Sequence, residues 1–377
     1  MLEEMKYIDE ELLPLLRERK KERESAAKRQ LDQWAGKPGV CSLMLSLPAE
    51  DNPHLRYLPQ YDLEEIHYDV EKMFVSELRS ALSVALSKGD GVPSVRANVG
   101  CGCVSTLLGG IKQLFFRDKM PWLQERIEPE RLMAMTKDDI EESKEFKFGL
   151  ECMRFMKEKL EGTGIEVYPM DIQGPIDMAH LWLGDDFFYD LYDDPELVHH
   201  ALQLAVDCDE YAFRKCLEII QPKGHLAHYN CLVLPLDKPV KISEDTSTLL
   251  SQAHIKEYMR PYTEQLLNRL GGGYIHFCGS NPHLLPEVVG FGETVIGLNL
   301  GNPERYDFET LLPELIRNKK CYVSTGNGLP NLSESLLRAA CGEDGSFHVF
   351  LRAECKKDEQ QRLLDARDEM IEAILRG

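Results

Sequence analysis

The sequence predicts an α/β fold, a (β/α)8 TIM barrel with an N-terminal helical extension, and three observations point to it. From residue 224 to the end, short apolar segments alternate with longer amphipathic ones, the pattern of parallel strands joined by right-handed helical crossovers. The dinucleotide fingerprint that would favour an open doubly wound sheet is missing, because no GxGxxG occurs and Gly271-Gly272-Gly273 leads into a strand. A chain of 377 residues also suits one barrel with a large core. The expected division is an extension over 1–39 and a barrel catalytic domain over 40–377.

Residues 2–34 carry Leu12, Leu13, Leu15 and Leu16 among dense charges and end at Gly36, Pro38 and Gly39, which predicts an amphipathic helix, or two broken near Pro14. Packing across a barrel end is the favoured role, with partner binding as the alternative. VCSLMLSL (40–47) is the first strand. A helical pattern over 63–88 precedes a strand at 95–99, then Cys101-Gly-Cys103, a spacing that suits a metal or redox pair and also occurs in plain glycine-rich loops. Residues 128–160 are charged and helical, and IEVYPMDI (165–172) is a strand. A helix runs through Met178 and Leu183, and Asp194-Pro195 starts a longer one. GHLAHYNCLVL (224–234) is an apolar strand region containing His225 and His228, and Glu244 and Asp245 precede a helix to about Leu270. Carboxylates in that position suit the positive end of a helix dipole as well as they suit catalysis. Strands then follow at 271–278, 294–300, 321–325 and 347–352, with helices at 308–317, 333–340 and the C-terminus.

Composition narrows the function. A net charge of −20 argues against nucleic-acid phosphate and an anionic membrane as partners. No stretch approaches a membrane span and the charged first residues do not read as a signal peptide, so a cytoplasmic protein is expected. Eleven cysteines without a repeating spacing read as thiols and metal ligands, not a disulfide framework.

The chemistry centres on GGGYIHFC, residues 271–278. Alternation along a strand puts His276 and Cys278 on one face, half of a zinc site, and the Gly279-Ser280-Asn281 turn places them where strand gives way to loop. Barrel strands bring their C-terminal ends to one rim, so Cys355, just past the last strand, is the expected third ligand. Cys321 opens its strand and is the fallback. Zinc held by two thiolates and a neutral imidazole would be formally neutral, suited to activating a further thiol. Such a sulfur attacks alkyl carbon, which points to methyl transfer more than hydrolysis. His276, Cys278 and Cys355 are thus the expected catalytic and metal residues.

Other residues carry a family resemblance. Asp171-Ile-Gln-Gly-Pro-Ile-Asp-Met-Ala179, Leu183-Gly184, Asp193-Asp-Pro-Glu196, Ile242-Ser-Glu-Asp245, Pro261-Tyr262, Ile296-Gly-Leu298 and Gly326-Asn327 resemble the signature of the uroporphyrinogen decarboxylase superfamily, over roughly residues 160–377. HxC followed by a later Cys looks like its zinc-dependent methylcobamide:coenzyme M methyltransferase branch. The resemblance implies a (β/α)8 barrel, zinc on His276, Cys278 and Cys355, and a corrinoid as methyl-carrying substrate. It also implies a corrinoid protein as partner and a small-molecule methyl donor or acceptor, and leaves a homodimer open. Asn98, Asp171, Gln173, Asn230, Glu244 and Asn299 are the candidate substrate-binding residues. Residues 41–62 hold a single arginine, Arg56, where the true decarboxylase needs several cations for its substrate's many carboxylates. Uroporphyrinogen decarboxylation is therefore the alternative, and a non-catalytic corrinoid- or tetrapyrrole-binding barrel the second.

Overall fold

The computed structural model describes residues 2–324 and 332–376. Its strands, in chain order, are β1 (Leu43–Ser46), β2 (Ser94–Val95), β3 (Gln113–Leu114), β4 (Trp122–Leu123), β5 (Glu166–Val167), β6 (His225–His228), β7 (Leu232–Pro235), β8 (Val240–Ser243), β9 (Gly273–Phe277), β10 (Val295–Leu300), β11 (Cys321–Val323) and β12 (Val349–Glu354). Six of them form a parallel sheet in the order β1-β12-β11-β10-β9-β8. A parallel bridge from Gln173 to Ser243 attaches the segment after β5 to β8, and β5 pairs in parallel with β2.

This is the α/β class expected, but the strands do not form one closed sheet, since β2 and β5 make a separate pair tied to β8 only by that single bridge. Among the described residues no ladder joins β2 back to β1. The Asp90 carboxylate takes the Leu43 amide at 2.9 Å and the Asp90 amide donates to the Leu43 carbonyl, so a side chain occupies a donor that a neighbouring strand would otherwise use. Glu166–Val167 and Ser94–Val95 are also much shorter than the strands expected at 165–172 and 95–99.

Alternation along the sheet sorts the side chains into two layers. Leu43, Leu45, Ile242, Ile275, Phe277, Leu298, Leu300, Tyr322, Val349 and Leu351 join the main core shared with the helices. Met44, Tyr274, Cys321, Val323 and Phe350 form a second cluster with Leu232 and Leu234 of β7. The region expected to be one strand over 224–234 is an antiparallel hairpin. Its turn, Tyr229–Cys231, puts Cys231 at φ +59°, a left-handed conformation usually taken by glycine or asparagine, so no ordinary turn residue marked it. A second unexpected hairpin pairs β3 with β4.

The N-terminal residues are continuous with the core. Met5, Ile8, Leu12, Leu13 and Leu16 are buried in the main cluster. Pro14 does not break the helix: a π-helical turn over Ile8–Leu12 precedes it, and it sits in the first turn of Leu13–Glu18, where its missing N–H costs little. The break falls at Arg19, before the helix Lys20–Trp34. That helix packs where β1 and β12 begin. The Trp34 indole donates to the Val233 carbonyl at 2.8 Å and its ring lies 4.4 Å from Phe350. Gln33, buried, donates to the Phe347 and Val349 carbonyls and accepts the Ser42 amide, at 3.2, 2.7 and 2.7 Å. Removing that amide in Gln33→Ala strands buried backbone groups and is expected to cost about 3 kcal/mol, read as a lower midpoint in urea unfolding.

Helix starts follow their sequence signals. Asp194 caps Pro195–Ile220 by accepting the Leu197 amide at 3.1 Å. The charged stretch over 128–160 divides into Pro129–Ala134, a 3-10 turn at Lys137–Asp139 and Lys144–Lys159, which Ser143 caps. No described helix is long and apolar enough to cross a membrane.

Candidate metal centre

Adjacent parallel strands β8 and β9 run in register, with Ser243 beside His276. Their C-terminal ends present Asp245, His276 and Cys278 to one point, and the ligand atoms of these three lie within 4.8 Å of one another. His276 Nε2 is 3.4 Å from Cys278 Sγ and 3.8 Å from the nearer Asp245 oxygen. Zinc bonds of about 2.3 Å to sulfur and 2.1 Å to nitrogen or oxygen, at a tetrahedral angle, would separate sulfur from nitrogen by about 3.6 Å and nitrogen from oxygen by about 3.4 Å. The donor types suit zinc, and the two separations from His276 are close to those of a tetrahedral site.

The imidazole is aimed by a neighbour. Asn299 donates its amide to the Val323 carbonyl at 2.5 Å, which leaves its oxygen facing His276 Nδ1 at 2.6 Å. Nδ1 therefore carries the proton and Nε2 presents its lone pair to Cys278 and Asp245, the arrangement in which a metal-binding histidine is held by an outer partner. Burial, and then the Lys241 ammonium, hold His276 below the usual imidazole range, favouring the neutral ring. Burial and Asp245 push the Cys278 thiol up to about 11, so without a cation it keeps its proton. A bound cation reverses that preference.

The Asp245 side chain accepts the Cys278 amide at 2.6 Å, tying the two ligand-bearing loops together. Behind it, Asp177 accepts the amides of Asp245 and Thr246 at 2.9 and 2.6 Å, and burial raises its carboxyl above the ordinary range. Gly301 leaves room for the thiol: a Cβ there would lie 2.5 Å from Cys278 Sγ. Gly301→Ala is expected to displace the sulfur and weaken metal retention while the chain stays folded, checked by metal content beside the circular dichroism spectrum.

The remaining expected residues are placed as follows. Cys355 lies just past β12, buried in the apolar core with its amide on the Ser46 carbonyl. Strands β10 and β11 separate it from β9, and it is not part of the three-residue group. Cys321 packs with Met44, Tyr274 and Phe350. Cys103 is buried in the main core, while Cys101 is half-buried. Burial, with Asp171, Asp177 and Asp245 nearby, pushes the Cys101 thiol up to about 11.

Glu244 turns away from the centre. It is fully buried, accepting from Ser247 and Thr263 hydroxyls at 2.8 and 2.5 Å, and burial raises its carboxyl. Gln173 is buried beside Ser243 in the bridge to β8. The side chain of Asn230 and residues Gly326 and Asn327 lie outside the described residues.

Asp171 and Asn98 belong to a second polar group inside the strands. Asp171 pairs with Arg96 at 3.2 Å and Lys241 at 3.0 Å, and Asn98 accepts from Arg96 at 3.2 Å. Burial opposes charge on Asp171, but Lys241 and Arg96 win and hold its carboxyl well below the carboxylate range. Arg96 and Lys241 were not singled out in the sequence. Lys241, Ser243 and Asp245 alternate along one segment as His276 and Cys278 do, and that alternation was the available signal.

His228, buried nearby, accepts the Tyr229 amide on Nδ1 at 2.8 Å. Burial and Lys241 push its imidazole down from 6.5 to about 3. The unfolded chain therefore binds a proton that the folded one refuses between those values. His228's contribution to stability is complete above pH 6.5 and is lost as pH falls toward 3. His228→Gln is expected to flatten that part of the stability–pH curve, measured by urea unfolding from pH 7 down to 4.

With this geometry in view, the chain is similar to the solved structure of a methyltransferase from Methanosarcina mazei. The TM-score is 0.62 at 14% identity, over 91% of this chain and 98% of that one. The likeness is one of fold. No family model and no curated protein sequence matches the chain.

Proposed function

We propose that this protein is a zinc-dependent methyltransferase that exchanges a methyl group between a corrinoid and a thiol or similar acceptor, on a (β/α)8 framework. The observation that carries this reading is the meeting of Asp245, His276 and Cys278 at neighbouring strand ends, with the imidazole fixed in its ligand tautomer by Asn299. The fold shared with a solved methyltransferase supports it.

Asp245, His276 and Cys278 would hold the metal, their two negative charges balancing it as the expected thiolate pair would have done. Zinc, when bound, supplies the positive charge that lets a thiol acceptor lose its proton and keep a nucleophilic sulfur. The chain's own contribution is positional. Asn299 prevents the imidazole from rotating, the hydrogen bond from the Cys278 amide to the Asp245 carboxylate fixes the distance between loops, and Gly301 leaves the sulfur its place. The methyl group would be delivered at the strand ends by a separate corrinoid protein, the partner this reading requires.

The test is demethylation of methylcobalamin by a small thiol, followed as loss of the cobalt–methyl absorbance, with zinc-loaded protein. Turnover above the protein-free rate, absent in His276→Ala, supports the proposal. A rate equal to the protein-free control overturns it for this donor and acceptor pair.

A further inference from the structure

The polar group beneath the metal centre holds two cations on one directly paired carboxylate. Arg96 and Lys241 share one carboxylate, Asp171, on its two oxygens. Their other side-chain partners are neutral: Asn98 for the guanidinium and Ser243, at 2.6 Å, for the ammonium. Glu77 accepts the backbone amide of Arg96 at 3.3 Å, and burial raises its carboxyl while the nearby guanidinium lowers it. His228 is held neutral. Arg96 and Lys241 thus rest on one directly paired carboxylate, and a cation held away from solvent is costly unless an anion pairs with it.

The group is reachable. Side-chain exposure is 17% for Arg96, 22% for Asp171 and 8% for Lys241, while Tyr229 beside them is 50% exposed. The surroundings are aromatic. The Arg96 guanidinium lies 6.0 Å from the Tyr168 ring and 5.8 Å from the Tyr229 ring, and His228 lies 5.4 Å from Tyr168. A guanidinium fork with an adjacent ammonium matches a carboxylate, and π faces beside it match a flat ring. Lys241 precedes Ser243, the neighbour of His276, by two residues on β8, about 6.6 Å along a strand.

We infer that Arg96 and Lys241 form an anion clamp that anchors an aromatic carboxylate beneath the Asp245–His276–Cys278 centre, with Asp171 holding the two cations in place until the ligand arrives. Insofar as the anchored molecule is a substrate, the assignment rests on the methyl-transfer reading, but its test reads binding alone.

The experiment is isothermal titration calorimetry of the full chain, with and without zinc, using benzoate, benzamide, acetate and inorganic phosphate. Benzoate is expected to bind saturably and at least tenfold more tightly than benzamide, which has the same shape without the charge, or than acetate, which has the charge without the ring. Lys241→Met and Arg96→Met are expected to weaken benzoate at least tenfold. Asp171→Asn, which removes the internal competitor, is expected to tighten it. Equal binding of benzoate and benzamide, or no saturable benzoate binding by the wild-type protein, overturns the clamp whatever the variants do. Tighter binding of acetate or phosphate than of benzoate overturns the aromatic carboxylate assignment. These results leave the metal centre untouched, and a protein that binds benzoate but fails to transfer methyl groups keeps the clamp and loses the methyl-transfer reading.

Discussion

Cys278→Ser is expected to lower the rate of methylcobalamin demethylation more than about a hundredfold. The scale follows from its position, since outer partners of metal ligands are already worth about 10–100-fold and Cys278 would be a ligand itself. The exposed side chain contributes little to the core, so the variant stays folded and the loss reads as chemistry. Asn299→Ala provides the graded companion. It removes the contact that selects the His276 tautomer, at 2.6 Å, and is expected to cost about 10–100-fold while leaving all three ligand residues present. Initial rates for the three proteins, with melting curves beside them, check both. A Cys278→Ser rate near wild type would remove the thiol from the mechanism.

Gly273→Ala is expected to give the largest loss of stability of any conservative change in the sheet. A Cβ at 273 would stand 1.7 Å from the Val240 carbonyl oxygen, inside the ladder between β8 and β9. Backbone atoms cannot turn aside as a side-chain tip can, so one strand must shift and its neighbours with it. About 3 kcal/mol is the expected cost, and the same shift would disturb the register that sets Ser243 beside His276. Urea unfolding measures the first effect and metal content the second. A variant as stable as wild type would contradict this close approach of the two strands.

Much of this arrangement was legible in the sequence because it rests on period and position. The alternating His276 and Cys278, the strands from 271 onward and the Asp194-Pro195 helix start depend on local spacing, and the structure keeps each of them, while β8 at Val240–Ser243 was not expected. Asp245 was visible only as a carboxylate ahead of a helix, since its meeting with His276 depends on the parallel register of β8 and β9. Cys355 occupies a strand end, as expected, yet position at a rim does not determine which side chains converge on one point. The β6–β7 hairpin was hidden because its turn uses Cys231 in the left-handed region instead of a glycine. Arg96, Lys241 and Asp171 come from three separate stretches, and only the folded sheet brings them together.

The most direct test of the account is the zinc content of anaerobically purified protein, wild type beside Cys278→Ser, Asp245→Asn and Cys355→Ser. The account predicts about one zinc per chain in the wild type, lost in Cys278→Ser and Asp245→Asn and retained in Cys355→Ser. A wild-type protein that takes up no zinc, or zinc that survives Cys278→Ser, would contradict it.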